Sequence, residues 1–287
     1  MPDRETLRVG KLQCLTAGDP EAPVVLCLHG FPDVPRTFAS LMDQLAARGW
    51  RAVAPWMRGY HPSTLEGPFD VDRIAEDVVE LATGVSSDRP VCAIGHDWGA
   101  VATYQATSWA PHRFARAVTM AVPHPMVFLR NALTHPAQLK RSWYMAYFQL
   151  PERPEREIPK DDFALIDRLW RDWSPGWEPP SDHVREVKEC LAQSMPAPIE
   201  YYRAMFRPLR DVRRRLEEAR SKARRIRVST LHLQGATDGC VAPELSDGQE
   251  RFFEGTLASE VVPGAGHWLH LERPDYVDGR ILDWLAK

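Results

Sequence analysis

Apolar runs and helical spacings alternate along the first half of the chain. Ala22–Gly30 (APVVLCLHG) is an apolar run that ends in glycine, the pattern of a strand buried on both faces. The next segment, TFASLMDQLAARGW, carries Phe38, Leu41, Met42 and Leu45 at helical spacing, with Gly49 placed to cap its C-terminus. RAVAPW then reads as a strand, and Asp70–Val85 as a helix that begins on an acidic turn. PVCAIGHDWG is a strand again, AVATYQATSWA a helix and RFARAVTMAVP a strand. Strand and helix in this alternation predict a parallel sheet with helices on both faces. The opening piece, TLRVGKLQCLTAG, suits an antiparallel edge ahead of it.

The alternation stops near Met126 and resumes near Val228. Between them lies a helical region rich in proline, aromatics and arginine, including LWRDWSPGWEPP and IEYYRAMFRPL. The α/β pattern returns with VSTLHLQG, a helix around ELSDGQERFFEG, the strand LASEVVPG and a last helix, DYVDGRILDWLAK. Residues 1–125 and 228–287 are therefore expected to form one core. Residues 126–227 are expected to form a helical cap over the C-terminal edge of its sheet, with Trp170, Trp173 and Trp177 in the cap's own packing.

Composition narrows the classes. With 287 residues, 44% hydrophobic, 26% charged and a net charge of −3, the chain is of ordinary globular type and has no basic excess to suit nucleic acid. The basic run Arg213–Arg227 contains Glu217 and Glu218 and no aromatics, so it reads as a solvated helix face. MPDRETLRVG lacks the apolar core of a secretory signal, and no apolar run approaches the roughly 18–20 residues that span a bilayer. Cys14, Cys27, Cys92, Cys190 and Cys240 are odd in number and scattered, without a CxxC pair. They speak against a disulfide framework or a structural zinc site and fit a reducing cytoplasm.

The candidate chemistry sits in GHDWGA, Gly95–Ala100. A nucleophile in a sharp strand-to-helix turn is exposed at the top of a sheet, and the following helix N-terminus favours negative charge there. The flanking Gly95 and Gly99 allow the turn. Here the nucleophile position holds Asp97, not serine. A carboxylate is ionised at neutral pH, needs no base to activate it, and attacks sp³ carbon by displacement to leave an alkyl ester on the enzyme. Hydrolysing that ester requires an activated water and donors around the aspartate carbonyl. GAGHW offers His267 in the loop after the last strand as the base, and GATDGC offers Asp238 after the preceding strand to orient it. The order Asp97, Asp238, His267 is that of nucleophile, acid and base in α/β-hydrolases. The other place for the acid, after AVTMAV, holds Pro123 and His124.

HGFP (His29–Pro32), RGY (Arg58–Tyr60), GHDWGA, GATD and GAGHW together closely resemble the epoxide hydrolase branch of the α/β-hydrolase superfamily, from about Pro23 to Leu285. The resemblance implies the α/β-hydrolase fold: a mostly parallel eight-stranded sheet with helices on both faces and the cap inserted after the sixth strand. It implies an oxyanion hole from the backbone N–H groups of Phe31 and Trp98, with Phe31–Pro32 cis. It further implies two cap tyrosines that hold and protonate the epoxide oxygen. WYMAYFQLP supplies Tyr144 and YYRAM supplies Tyr202, whereas Tyr147 and Tyr201 read as packing. A phenol with a pKa of about 10 can donate a proton at neutral pH without being charged. No cofactor, a small hydrophobic epoxide substrate that Phe31, Trp98, Tyr144 and Tyr202 would contact, and a monomer or homodimer are the accompanying expectations.

Relatives often read Asp-x-Arg-Gly-Tyr-Gly-x-Ser where this chain has WMRGYHPS, so that Trp56 and His61 replace an acid and a glycine near the mouth of the site. Haloalkane dehalogenases share the aspartate nucleophile. They commonly carry Asn where this chain has Phe31, and they lack the paired tyrosines. Fluoroacetate-type dehalogenases usually have Arg where Trp98 stands. Esterase action is disfavoured because a carboxylate attacking an ester gives an anhydride that reverts. A non-catalytic binding protein on this fold would be expected to have lost a member of the catalytic set, and none is missing.

Overall fold

The computed structural model describes residues 4–132, 134–207 and 225–287. Its strands are β1 (Glu5–Val9), β2 (Leu12–Ala17), β3 (Val24–Leu28), β4 (Arg51–Pro55), β5 (Val91–His96), β6 (Phe114–Met120), β7 (Ser229–Gly235) and β8 (Leu257–Val262). They form one eight-stranded sheet in the order β1-β2-β4-β3-β5-β6-β7-β8. β1 pairs antiparallel with β2, and β2 antiparallel with β4; all other neighbours are parallel. This is the α/β-hydrolase sheet expected above, with the alternating N-terminal segment as its antiparallel edge. β3 and β5 are buried at every position, as unbroken apolar runs in a sheet covered on both faces must be.

Helices α1 (Ala39–Ala47), α2 (Val71–Val85) and α3 (Trp98–Trp109) follow β3, β4 and β5. Between β6 and β7 come α4 (Pro125–Ala132), α5 (Pro136–Arg141), α6 (Trp143–Tyr147), α7 (Arg153–Glu157), α8 (Lys160–Trp173), α9 (Ser181–Ser194) and α10 (Ala197–Phe206). The chain closes with α11 (Leu269–Glu272) and α12 (Pro274–Leu285). The side chain of Asp70 caps α2 by accepting the Arg73 N–H at 3.0 Å, and Ile74, Val78 and Leu81 then face the sheet. α1 stops where Gly49 takes a left-handed φ of 77°.

Met42 and Leu45 of α1 and Ile281 of α12 pack on one face of the sheet, against Val25, Cys27, Ile94 and Leu233. Leu26, Leu28 and Ala93 point to the other face, towards α2 and α3. That second cluster continues without a break into Phe148, Ile166, Trp170, Trp173 and Ile199 of the later helices. Full burial of an apolar side chain such as Phe148, Ile166 or Ile199 stabilises by roughly 1.5–3 kcal/mol, so α8, α10 and the residue that follows α6 are held by the same core that holds α2.

One element differs from the sequence reading. The segment around ELSDGQERFFEG is two short 3₁₀ turns, Pro243–Ser246 and Gln249–Phe252, and not an α-helix. Gly248 between them takes a φ of 82°, which ends the first turn before a helix can propagate. Residues 213–224 of the basic run lie outside the described residues; Arg227 is exposed and pairs with Glu254 at 2.9 Å. All five cysteines are buried and unpaired with one another.

Candidate active site

Backbone geometry places Asp97. It occupies the turn between β5 and α3 at φ 52°, ψ −117°, a conformation that costs a non-glycine residue roughly 1–3 kcal/mol. The elbow holds because its neighbours leave no room for a side chain. A Cβ on Gly95 would lie 2.2 Å from the Gly99 carbonyl oxygen, and one on Gly99 would lie 2.0 Å from that of Leu28. Gly30 is required for a different reason: its Cβ would lie 2.2 Å from Asp97 Oδ1, in the space the carboxylate itself fills.

The carboxylate then meets two partners. Phe31 donates its backbone N–H to Asp97 Oδ1 at 2.8 Å, from a loop turned by the cis Phe31–Pro32 bond. Of the two expected amide donors, Trp98 makes no hydrogen bond to the carboxylate among the described residues; its ring walls the site instead, 5.2 Å from that of Tyr202. On the other side His267 Nε2 stands 3.7 Å from Asp97 Oδ2, beyond hydrogen-bond range but close in ionic terms. His267 Nδ1 is 3.0 Å from Asp238 Oδ2. Asp238 is fixed in turn by the N–H groups of Cys240 and Val241, at 2.7 and 2.8 Å on Oδ1, and by Gln234 Nε2 at 2.9 Å on Oδ2.

These groups are buried, and charge outweighs burial. Desolvation alone would push the His267 imidazole towards neutrality. Asp238 and then Asp97 overcome it, and the pKa rises to about 10. The two acidic neighbours thus favour the protonated form of His267 in the free site. Neutralising Asp97 would remove one of the two charges that hold the proton, so the His267 pKa would fall and the imidazole would release its proton more readily.

Tyr144 on α6 and Tyr202 on α10 lie close enough to feel the Asp97 carboxyl, with their ring centroids 5.5 Å apart and planes nearly perpendicular. The Tyr202 hydroxyl is buried without a hydrogen bond of good geometry among the described residues, beside Tyr144 and Trp98; the Tyr144 hydroxyl meets Cys240 Sγ at 3.4 Å. Burial first, then the neighbouring Cys240 thiol for Tyr144 and the Asp97 charge for Tyr202, hold both phenols well above the usual tyrosine pKa. Both stay protonated. Tyr147 instead donates to Glu157 Oε2 at 2.8 Å, and Tyr201 to the Arg58 carbonyl, so neither hydroxyl is aimed at Asp97. Phe31, Phe148 and Trp173 complete an apolar wall around the pair.

Several supports carry no local sequence signal. The His267 N–H is shared by the Trp173 carbonyl at 3.2 Å and Ser174 Oγ at 3.0 Å, across 93 residues of chain, so the end of α8 steadies the base loop. A Cβ on Gly266 would come within 2.7 Å of Ser174 Cα, which explains the small residue there. Asp33, two residues beyond Phe31, accepts from the Val34 N–H, His183 of α9 and Trp268 Nε1. With His96 and His270 it forms the one set among the described residues whose donor atoms could hold a metal ion. Its oxygens are already committed to those three donors, so the set reads as a hydrogen-bond hub.

The chain matches the family described as "Alpha/beta hydrolase family" over residues 25–279. It is 30% identical over 283 residues to epoxide hydrolase 3 of Xenopus tropicalis, covering 95% of this chain and 74% of that protein. Epoxide hydrolase A of Mycobacterium tuberculosis is 28% identical over 313 residues, covering 96% of this chain and 94% of that protein. The fold is also that of the Bacillus megaterium epoxide hydrolase crystallised with an inhibitor, with a TM-score of 0.85 at 24% identity over 99% of this chain and 100% of that one. No helix among the described residues is long and apolar enough to cross a membrane.

Proposed function

This chain belongs to the alpha/beta hydrolase family, among its epoxide hydrolases, and from that premise we propose that it hydrolyses epoxides to vicinal diols through an ester on Asp97. The observation that carries the reading is that the buried Asp97–His267–Asp238 set lies beside two buried phenols held in their un-ionised form. Asp97 Oδ2 attacks a ring carbon while Tyr144 and Tyr202 hydrogen-bond the epoxide oxygen and supply the proton as the C–O bond breaks. The product of that step is a hydroxyalkyl ester. Its carbonyl oxygen lies where Oδ1 now accepts from the Phe31 N–H, and the expected Trp98 N–H would complete the oxyanion hole. A single such donor is typically worth about 10²–10³ in rate. With the Asp97 charge gone, His267 gives its resting proton back to the tyrosinate left by ring opening. The neutral imidazole then takes a proton from water as the hydroxide adds to the ester carbonyl. Collapse of the tetrahedral intermediate breaks the bond between the Asp97 carbonyl carbon and the alkyl oxygen. The departing diol oxygen takes the proton from His267, the Asp97 carboxylate is restored, and Asp238 stabilises the imidazolium while it lasts.

In this reading residues 126–227 serve as a cap on the core of residues 1–125 and 228–287, supplying both acids and keeping water away from Asp97. A halide leaving group would need N–H donors and no proton; Phe31 brings no side-chain amide and the two phenols would be idle, so haloalkane dehalogenation is the weaker reading. The test is His267→Gln incubated with a panel of styrene-type, aliphatic terminal and trans-disubstituted epoxides. A protein mass increase equal to that of one epoxide, mapped to Asp97, is expected. Ordinary turnover by His267→Gln would remove His267 from the role of base.

A further inference from the structure

Two phenols on different helices can serve one oxygen only if the helices are fixed to each other, and side-chain packing of aromatic rings alone leaves that spacing soft. Tyr144 sits on α6, a helix of five residues, and Tyr202 on α10; no backbone hydrogen bond between the two helices is present among the described residues. The link runs through Arg203, the residue after Tyr202. Its guanidinium is 4% exposed. Nε donates to the Phe148 carbonyl at 2.8 Å and Nη2 to the Leu150 carbonyl at 2.9 Å, satisfying orphan carbonyls at the end of α6. Phe148 in turn donates its N–H to the Tyr144 carbonyl at 2.9 Å, so two hydrogen bonds separate the Tyr144 backbone from the guanidinium.

Glu155 and Glu200 hold Nη1 at 2.6 and 2.7 Å and fix the fork's direction. Gln149 adds the reciprocal bond, donating Nε2 to the Tyr202 carbonyl at 2.9 Å. The cross-link therefore reaches the Tyr202 backbone directly through Gln149, and the Tyr144 backbone through Phe148, one turn further along the chain. A lysine could keep the charge but could not span two carbonyls and two carboxylates, because it is a point charge and not a planar fork.

We propose that Arg203 is a positioning residue that sets the spacing of the Tyr144 and Tyr202 hydroxyls and so governs formation of the Asp97 ester, leaving its hydrolysis untouched. The inference rests on the epoxide-hydrolase reading above. It separates the two half-reactions: the phenols act on the opening ring, whereas hydrolysis belongs to His267, Asp238 and the Phe31 amide, none of which Arg203 contacts.

Single-turnover rapid quench with intact-protein mass detection measures both steps, in wild type and in Arg203→Lys. Ester formation is expected to slow by roughly 10- to 100-fold, the cost of displacing a reacting group by about an ångström. Ester decay should stay within about twofold of wild type, with an unchanged pH profile. If Arg203→Lys slows both steps alike, or neither, the positioning role is overturned. Should Arg203→Lys fail to fold, Gln149→Met removes the reciprocal bond at a half-buried position and must show the same one-sided signature, or the proposal falls. A wild-type protein that never forms an ester overturns the earlier reading instead, so the two failures are distinguishable.

Discussion

Replacing Asp238 with Asn tests the triad at its most constrained point. Oδ1 of Asp238 accepts from two backbone N–H groups, those of Cys240 and Val241, at 2.7 and 2.8 Å. An asparagine must keep its carbonyl oxygen there, which turns its NH₂ towards the present Oδ2 position. That position faces two donors, Gln234 Nε2 at 2.9 Å and His267 Nδ1 at 3.0 Å. The amide N–H forces His267 to accept at Nδ1 and so to carry its proton on Nε2, the nitrogen that faces Asp97 and must take a proton from water. The largest cause raising the His267 pKa to about 10 is removed by the same change, so the imidazole also loses its hold on a second proton. The wrong tautomer in such a triad typically costs about 10⁴ in turnover, or roughly 5–6 kcal/mol of transition-state stabilisation.

The loss should fall on one step. Asp97 needs no base to attack, so ester formation in Asp238→Asn should remain within about tenfold of wild type while ester decay becomes slow enough to isolate. Stopped-flow tryptophan fluorescence can follow both phases, since Trp98 packs on Tyr202 and Trp173 on His267. Mass spectrometry of the quenched protein gives the ester fraction independently. Steady turnover above about a tenth of wild type, or a defect confined to ester formation, would refute the assignment of Asp238 as the partner of His267.

Two further predictions probe the scaffold. Asp278 of α12 is buried beside Ser40 and Gln44, and burial raises its carboxyl to about 7 from the ordinary 3.8. The folded state then holds a proton that the unfolded state releases, so stability falls as pH rises from about 4 to 7 and stays lower above it. Asp278→Asn should match wild type near pH 4 and be more stable at pH 8 by an amount on the order of a few kcal/mol, a Tm gain of roughly 5 °C by differential scanning calorimetry; equal Tm values at pH 8 would contradict the shift. Gly30→Ala places a methyl group 2.2 Å from Asp97 Oδ1, so ester formation should drop by at least about 10²-fold with the circular dichroism spectrum intact, and retained activity would show that the carboxylate can sit elsewhere.

Much of this protein is legible along the chain because its signals are local. The buried runs at Val24–Leu28 and Val91–His96 announce parallel strands, since only a sheet covered on both faces tolerates unbroken apolar residues. Gly95, Asp97 and Gly99 announce the elbow, because a φ of 52° on a non-glycine residue needs small neighbours within two positions. The two 3₁₀ turns of residues 243–252 were illegible for the converse reason: apolar spacing there suits a helix, and only the left-handed Gly248 interrupts it.

The order Asp97, Asp238, His267 can be read along the chain and Tyr144 and Tyr202 from the resemblance, but the contacts that join them cannot. That Oδ1 of Asp97 takes the Phe31 amide while Oδ2 faces His267, that Ser174 accepts from the His267 N–H across 93 residues, and that Arg203 on α10 reaches the Phe148 carbonyl just beyond α6 are contacts between residues that share no periodicity. Periodicity records which face of an element is buried. What that face meets, and which charge or hydroxyl it meets there, is decided only when the chain closes on itself.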